Sequence, residues 1–485
     1  MFVTKKLFSL SPSAKLLKNV LEGHTLHSVR GVSQSFNYED IFKFYSDAPA
    51  PAATPLTDRD YERFISKRSA LRQPGLTRQI TQLSYQAGRD AVSLAEGMAS
   101  SAVFPFTHLR LETSGGAEVT LEGEKLRAAL QYVPTQGLPD LVSHLRQLTS
   151  DLHRPPPLPR DVLVTSGSQS GLYMAVDLLL EPGAPVLVQE HSYTGFYSVL
   201  KPYQPEVIGI PEDHHGVIPE ILESVLEERL CKGQLMPKFF YLVPTGSNPT
   251  GTVLPEGRRR KIYELACRYD FLILEDDPYM FVNYTDQPVP SFLSLDSAGR
   301  VIRLDSLSKV LSPGLRAAWA TAPPALLQRL QLHQEAHCLH SCTLAMAILL
   351  QLLQTWGRAG LATQLRGARA LYRARRDALA AALRAHCAHL AHWHVPEGGM
   401  FFWVRLNVED VRDMVFKTAF EKGLMLVPGQ ACNYDTSAPS PHLRLAFSKV
   451  KLEDMDTAAR LLADVIRTEQ AKACGNRAER VATHR

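Results

Sequence analysis

The stretch from Asp305 to Arg316 reads DSLSKVLSPGLR. It sets Lys309 just past an apolar run, flanked by Ser306 and Ser308, with Pro313 and Gly314 turning the chain back and Arg316 beyond. A lysine amine can form a Schiff base with an aldehyde. Neighbouring hydroxyls and a guanidinium can hold a dianionic phosphate, the guanidinium through two N–H groups at once. A lysine in a polar turn is also an ordinary surface feature, so this stretch alone leaves both readings open.

Four further turns carry similar chemistry. YLVPTGSNPTG (241–251) puts Asn248 past a strand-like run, and FLILEDDPYMF (271–281) ends another on Asp276, with Tyr279 three residues on. VTSGSQSGL (164–172) places Ser168 and Gln169 where a helix opens, and there the free N–H groups and the helix dipole favour a phosphate. QEHSYTG (189–195) offers the ring of Tyr193 at one more strand end. Taken singly, each has a plain reading as a turn, a helix cap or punctuation. Five such turns in this order, each after a strand, are hard to obtain by chance.

The elements that must position these residues follow from hydrophobic pattern. Apolar runs at 162–165, 186–189, 239–244, 271–277, 300–305 and 315–321 alternate with helical stretches opening near Ser168, Tyr193 and Glu256. Strands without alternation are buried on both faces, and strand–helix alternation predicts an α/β fold with a mostly parallel sheet. In such sheets ligands sit at the carboxyl ends of the strands, where the five turns lie. After Gly357 a long Ala/Arg/Leu helix leads to a hairpin pattern (392–406), strands at 424–429 and 442–448 and a last helix, which reads as a smaller α+β domain.

The chain has 485 residues, 53 Lys+Arg against 49 Asp+Glu, and 45% hydrophobic residues. That composition excludes wholesale disorder, and the balanced charge gives no footprint for nucleic acid. No run reaches the ~18–20 apolar residues of a membrane span. The arginines at 366, 369, 373, 375 and 376 fit a solvated helix face better than a phosphate-binding one. Seven scattered cysteines without a CxxC predict free thiols, and Cys338 and Cys342 with His337 and His340 lack a second ligand pair for a metal. The first thirty residues hold five Lys/Arg and one acid, which fits a mitochondrial transit peptide; a plain tail on a cytoplasmic protein is the alternative. DAPAPAATP (47–55) reads as a linker, so folding is expected to begin near Asp58.

These motifs resemble those of the class I, fold type I, pyridoxal-phosphate aminotransferases, and most nearly the kynurenine/2-aminoadipate aminotransferase branch. The likeness runs from about Tyr61 to Arg467. It implies pyridoxal 5'-phosphate as cofactor, 2-amino and 2-oxo acids as substrates, and a homodimer with shared sites. By the same resemblance Lys309 would carry the cofactor and shuttle protons, Asp276 would pair with its ring nitrogen, and Asn248 and Tyr279 would meet its phenolic oxygen. Tyr193 would stack on the ring. Ser168, Gln169, Ser306, Ser308 and Arg316 would bind its phosphate, and Tyr132 would reach the phosphate of the other subunit's cofactor. Arg444, in PHLRLAFS, would grip the substrate α-carboxylate; Gly97 would line the substrate loop, and Arg78 would meet a second carboxylate.

The implied layout is an extension (1–57), a segment shared with the small domain and the substrate lid (58–120), a large cofactor-binding domain (121–357), a small domain (358–467) and a polar tail (468–485). Three places depart from the family pattern. The substrate loop AEGMASSAVFPF (95–106) carries Glu96 in place of a small residue and Ala99 in place of a proline, His191 stands where a proline is common, and Ala318 replaces a usual glycine. Glu96 leads us to expect poorer acceptance of anionic side chains. A decarboxylase or lyase on the same fold is the alternative enzyme, and an aminotransferase-like regulator the non-enzymatic one; the latter needs a folded DNA-binding module, and residues 1–55 show no helical periodicity for it.

Overall fold

A computed structural model of the chain describes residues 41–87, 94, 95, 97–285 and 288–483. The proposed transit peptide and Glu96 lie outside the described residues.

Seven strands form the main sheet: β1 (Asp161–Ser166), β2 (Pro185–Gln189), β3 (Glu206–Ile210), β4 (Phe239–Leu242), β5 (Leu272–Asp276), β6 (Val301–Ser306) and β7 (Ala317–Ala322). Their order is β1-β7-β6-β5-β4-β2-β3, parallel except that β7 runs antiparallel to both its neighbours. β2, β4, β5, β6 and β7 are buried along their whole length, which is why they read as unbroken apolar runs. Leu222, Leu226, Ile262 and Leu265, from helices Pro219–Cys231 and Glu256–Tyr269, pack with Phe240, Leu242 and Ile273 of the sheet.

A second, antiparallel sheet holds β8 (Ala391–Trp393), β9 (Phe401–Leu406), β10 (Val427–Pro428) and β11 (His442–Ala446) in the order β8-β9-β11-β10. The helix Thr343–Cys387 joins the two bodies and breaks at Gly357, whose φ of 57° and ψ of −169° interrupt the helical run. Its arginines are anchored: Arg369 donates to the Thr285 carbonyl (2.7 Å), Arg376 to that of Pro396 (3.1 Å) and Arg375 to that of Ser448. They act as staples between segments.

Three boundaries differ from the sequence expectation. Residues 41–57 are held on the large-sheet body: Phe44 exchanges backbone bonds with Leu152 and Ser291, Leu56 donates to Ala298, and Arg260 donates to the Pro49 carbonyl. Pro/Ala composition suggested a linker, but carbonyls of such a segment remain free to accept from a neighbouring arginine. Residues 58–72 also pack on the large-sheet body, through Tyr61 to Gly299 (2.7 Å) and Arg72 to Asp177 (2.8 Å). The last helix, Met455–Thr483, runs through Thr468 without a break.

The sheet hides one strongly polar feature. Arg303, with 0% of its surface exposed, sits mid-strand in β6 beside Glu275 of β5. Its guanidinium reaches Glu275 at 2.8 Å, Asp305 at 2.9 Å and Asp277 at 3.5 Å. Glu275 also accepts the N–H groups of Phe292 and Leu293, which open a short helix. Removing one partner of such a cluster strands the others' charge in the interior, at a cost of ~3–5 kcal/mol. Arg303→Met is therefore expected to lower the thermal or denaturant midpoint sharply, whereas Arg110→Met, on an exposed hairpin pair, should leave it nearly unchanged.

Candidate active site

β4, β5 and β6 are adjacent, and their carboxyl ends open on one cavity of about 310 Å³. Eleven residues singled out in the sequence line it: Ser168, Gln169, Tyr193, Asn248, Asp276, Tyr279, Ser306, Ser308, Lys309, Arg316 and Arg444. Several separate elements deliver them. The β4 turn delivers Asn248 through a cis Asn248–Pro249 peptide, β5 ends on Asp276, and the loop after β6 carries Lys309. Arg444 comes from β11 of the other sheet, and its Nη1 donates to Asn248 Oδ1 at 2.9 Å across the boundary between the two bodies.

The Lys309 loop is fixed from outside. Tyr372 donates to the Lys309 carbonyl at 3.0 Å and Gln364 to that of Val310 at 2.8 Å, both from the long helix. Ser306 Oγ lies 3.0 Å from Ser308 Oγ and accepts the Ser308 N–H. Burial lowers the pKa of the Lys309 amine, with Arg316 and Arg444 adding to the effect and Asp276 opposing it. The amine sits 5.9 Å from the centre of the Tyr279 ring.

Asp276 is pushed up to about 7, first by burial and then by Asp277, against Tyr241, Arg303 and Lys309. Tyr241 donates to its Oδ2 at 3.1 Å and is itself stacked on Phe196 at 3.6 Å. Tyr241 was not singled out in the sequence, because it sits inside an apolar strand and only the pairing of β4 with β5 brings it beneath Asp276. Phe401 was missed for a like reason: it lies in β9, and the Arg444 guanidinium rests 4.5 Å above its ring.

A helix start and a guanidinium meet at the edge of the cavity. Ser168 opens the twelve-residue helix Ser168–Leu179, capped by Gly167 at φ +81°. A Cβ at Gly167 would stand 2.0 Å from Arg316 Nη2, so only glycine lets that guanidinium lie against the helix start. Arg316 donates there to the Ser166 carbonyl at 3.3 Å.

Three expected residues are not brought to this cavity. Tyr132 is 45% exposed and packs edge-on against His340 at 5.8 Å. Its expected role concerns a second subunit's cofactor. Gly97 is exposed, with nothing within 4 Å of where a Cβ would lie. Arg78, on the helix Leu76–Ala87, lines a separate cavity of about 520 Å³ with Gln136, Arg146 and Glu335.

Comparison with known proteins agrees with this geometry. A family model described as aminotransferase class I and II matches residues 116–462. The chain belongs to that family. It is a pyridoxal-phosphate-dependent transaminase. The rat mitochondrial kynurenine/alpha-aminoadipate aminotransferase is 40% identical over 421 residues, covering 84% of this chain and 99% of the rat protein. Among solved structures, the aminotransferase Aro8 of Candida albicans superposes with a TM-score of 0.77 at 28% identity, covering 86% of this chain and 99% of that one. The kynurenine aminotransferase of Pyrococcus horikoshii, solved with PMP, kynurenine and product, gives 0.67 at 30% identity, covering 84% and 98%.

The residues present fit the family cofactor. Asp276 Oδ1, Ser168 Oγ, Gln169 Oε1 and Arg444 Nε are buried without a hydrogen-bond partner among the described residues. Asp276 Oδ1 would offer an acceptor to a ring N–H, the Ser168 hydroxyl a donor to a phosphate, and Arg444 Nε a donor to a carboxylate.

Two outcomes follow. Gly167→Ala should displace Arg316 and weaken cofactor affinity by about tenfold or more, read by titrating the cofactor-free protein with pyridoxal phosphate. The raised pKa of Asp276 means that its ionised form costs the cofactor-free fold stability. That cost is absent below about pH 4, grows as pH rises toward 7, and is constant above. Asp276→Asn should then raise the melting temperature of cofactor-free protein by an increment that grows from pH 4 to 7, and should lower it in the cofactor-loaded protein, as thermal melts across pH will show.

Proposed function

We propose that this transaminase moves an amino group from a 2-amino acid of the 2-aminoadipate, kynurenine or aromatic class to a 2-oxo acid such as 2-oxoglutarate, by a ping-pong sequence. The observation that carries it is the meeting of Lys309, Asp276 and Arg444 in one cavity; the names of the similar rat and archaeal proteins supply the substrate class. Pyridoxal phosphate, when bound, supplies an aldehyde carbon for the nitrogen and a ring that takes up the electron pair released at the substrate Cα.

The chain's residues do the rest. The carboxylate of Asp276 keeps a proton on the ring nitrogen, and Tyr241 holds that carboxylate in place. Ser168, Gln169, Ser306, Ser308 and Arg316 bind the phosphate, Tyr193 covers the ring, and Asn248 and Tyr279 bond its phenolic oxygen. Arg444 forks the substrate α-carboxylate, which fixes the Cα–H bond relative to Lys309. The Lys309 amine takes the Cα proton, and burial favours the neutral, proton-accepting form. By this reading Gly97 and Arg78 belong to the substrate side of the site.

The division into a large domain (121–357) and a small one (358–467) belongs to this reading, as does a homodimer in which Tyr132 meets the other subunit's cofactor phosphate. So does a mitochondrial matrix location, supported by the basic first thirty residues and the mitochondrial rat relative.

A donor panel incubated with 2-oxoglutarate should yield glutamate from 2-aminoadipate, kynurenine or aromatic amino acids; release of CO2 or ammonia instead would overturn the assignment. Lys309→Ala should abolish turnover. Arg444→Ala should raise KM for donor and acceptor alike, by about 10- to 100-fold, as expected from losing a charged hydrogen-bond pair.

A further inference from the structure

Tyr193 belongs to the large-sheet body and Arg444 to the small-sheet body, so something must set the distance between them. The loop carrying Tyr193 is tied directly to the small-sheet body. Ser192 N–H donates to the Cys432 carbonyl at 3.1 Å, and Thr194 Oγ1 to that of Ala431 at 2.8 Å. His191 Nδ1 lies 3.0 Å from Asn433 Oδ1. Its ring also meets two aromatic rings of the small sheet, Trp403 at 5.0 Å and His442 at 5.4 Å.

Those two rings stack on each other at 4.9 Å and 7°. Both share a face with Arg444. Trp403 opposes Arg444 directly in the β9–β11 register, and His442 precedes it by two residues on the same strand. Arg444 is thus set on a row of rings, with Phe401 beneath it and the Trp403–His442 pair beside it. His191 closes the end of that row from the other body, two residues before Tyr193.

We propose that His191 is a positioning residue for substrate carboxylate binding: its contact with Trp403 and His442 is the joint that sets Arg444 relative to Tyr193. This rests on the reading of Arg444 as the α-carboxylate ligand. A planar ring at 191 is what the joint requires. A smaller side chain would let the small sheet shift without touching the cofactor cradle, whose residues come from the large-sheet body.

The test uses the cofactor-loaded enzyme with His191→Ala and His191→Phe. His191→Ala should raise KM for the amino donor, KM for 2-oxoglutarate and the inhibition constant of 3-phenylpropionate, a carboxylate without an amine, by a common factor of about three- to tenfold, as expected from the loss of an aromatic pair. kcat should change less than about twofold on the same scale, and the dissociation constant for pyridoxal phosphate should hold. His191→Phe should restore all three constants. Unchanged constants in His191→Ala, a loss of cofactor affinity along with them, or rescue by His191→Asn but not by His191→Phe would each overturn the proposal. Arg444→Ala separates the two readings: if it leaves KM at the wild-type value, the carboxylate assignment itself fails, whatever the His191 variants do.

Discussion

One buried guanidinium organises the catalytic end of the sheet. Arg303 draws together Glu275, Asp277 and Asp305, which lie at or next to the ends of β5 and β6. Asp277 reaches on to Thr245 (3.1 Å), in the turn that leads to Asn248. Asp276 sits between two of these carboxylates in sequence, and Lys309 follows the third by four residues. Strand ends would otherwise be free to fray, and here two of them are held by charge in a dry interior where an unpaired carboxylate is expensive. The functional residues inherit that rigidity without spending their own hydrogen bonds on it. Asp276 keeps Oδ1 and Ser168 keeps its hydroxyl for something outside the chain.

The arrangement divides labour between two bodies. On the proposed reading, the large-sheet body contributes the residues that would surround ring and phosphate, all from strand ends, their turns or a helix start. The small-sheet body contributes Arg444, and the Arg444–Asn248 bond is one of the connections between the two. On that reading a substrate carboxylate would compete for the same guanidinium. Substrate binding and the relation between the bodies would then be coupled through this side chain. The aromatic row beneath Arg444 gives that side chain a fixed platform, which an arginine on a bare strand would lack.

Much of this was legible in the sequence because parallel sheets impose it. Continuous apolar runs mark strands buried on both faces, and functional groups gather where such runs end. That rule placed Ser168, Tyr193, Asn248, Asp276 and Lys309 at strand ends, where they are found. The same rule hid Tyr241, Glu275 and Arg303, since polar groups inside an apolar run carry no local signal; what makes them tolerable is a partner on the neighbouring strand. Residues 47–55 read as a linker and are docked instead, because proline and alanine look alike whether a segment is free or docked.

By itself the sequence determined the order and chemistry of the parts: a lysine, an aspartate, an asparagine and a helix start rich in small polar residues, each following a strand, and an arginine far downstream. Those facts are local, set by residue type and hydrophobic period. Tertiary structure decided what is adjacent. It put β4, β5 and β6 side by side, so that a tyrosine of one strand supports the aspartate of the next. It brought Arg444 to Asn248 across 196 residues of chain. It also left Tyr132 and Arg78 away from the cavity in a single chain. Contacts of that kind depend on strand order, register and chain packing, and no short stretch of sequence carries them.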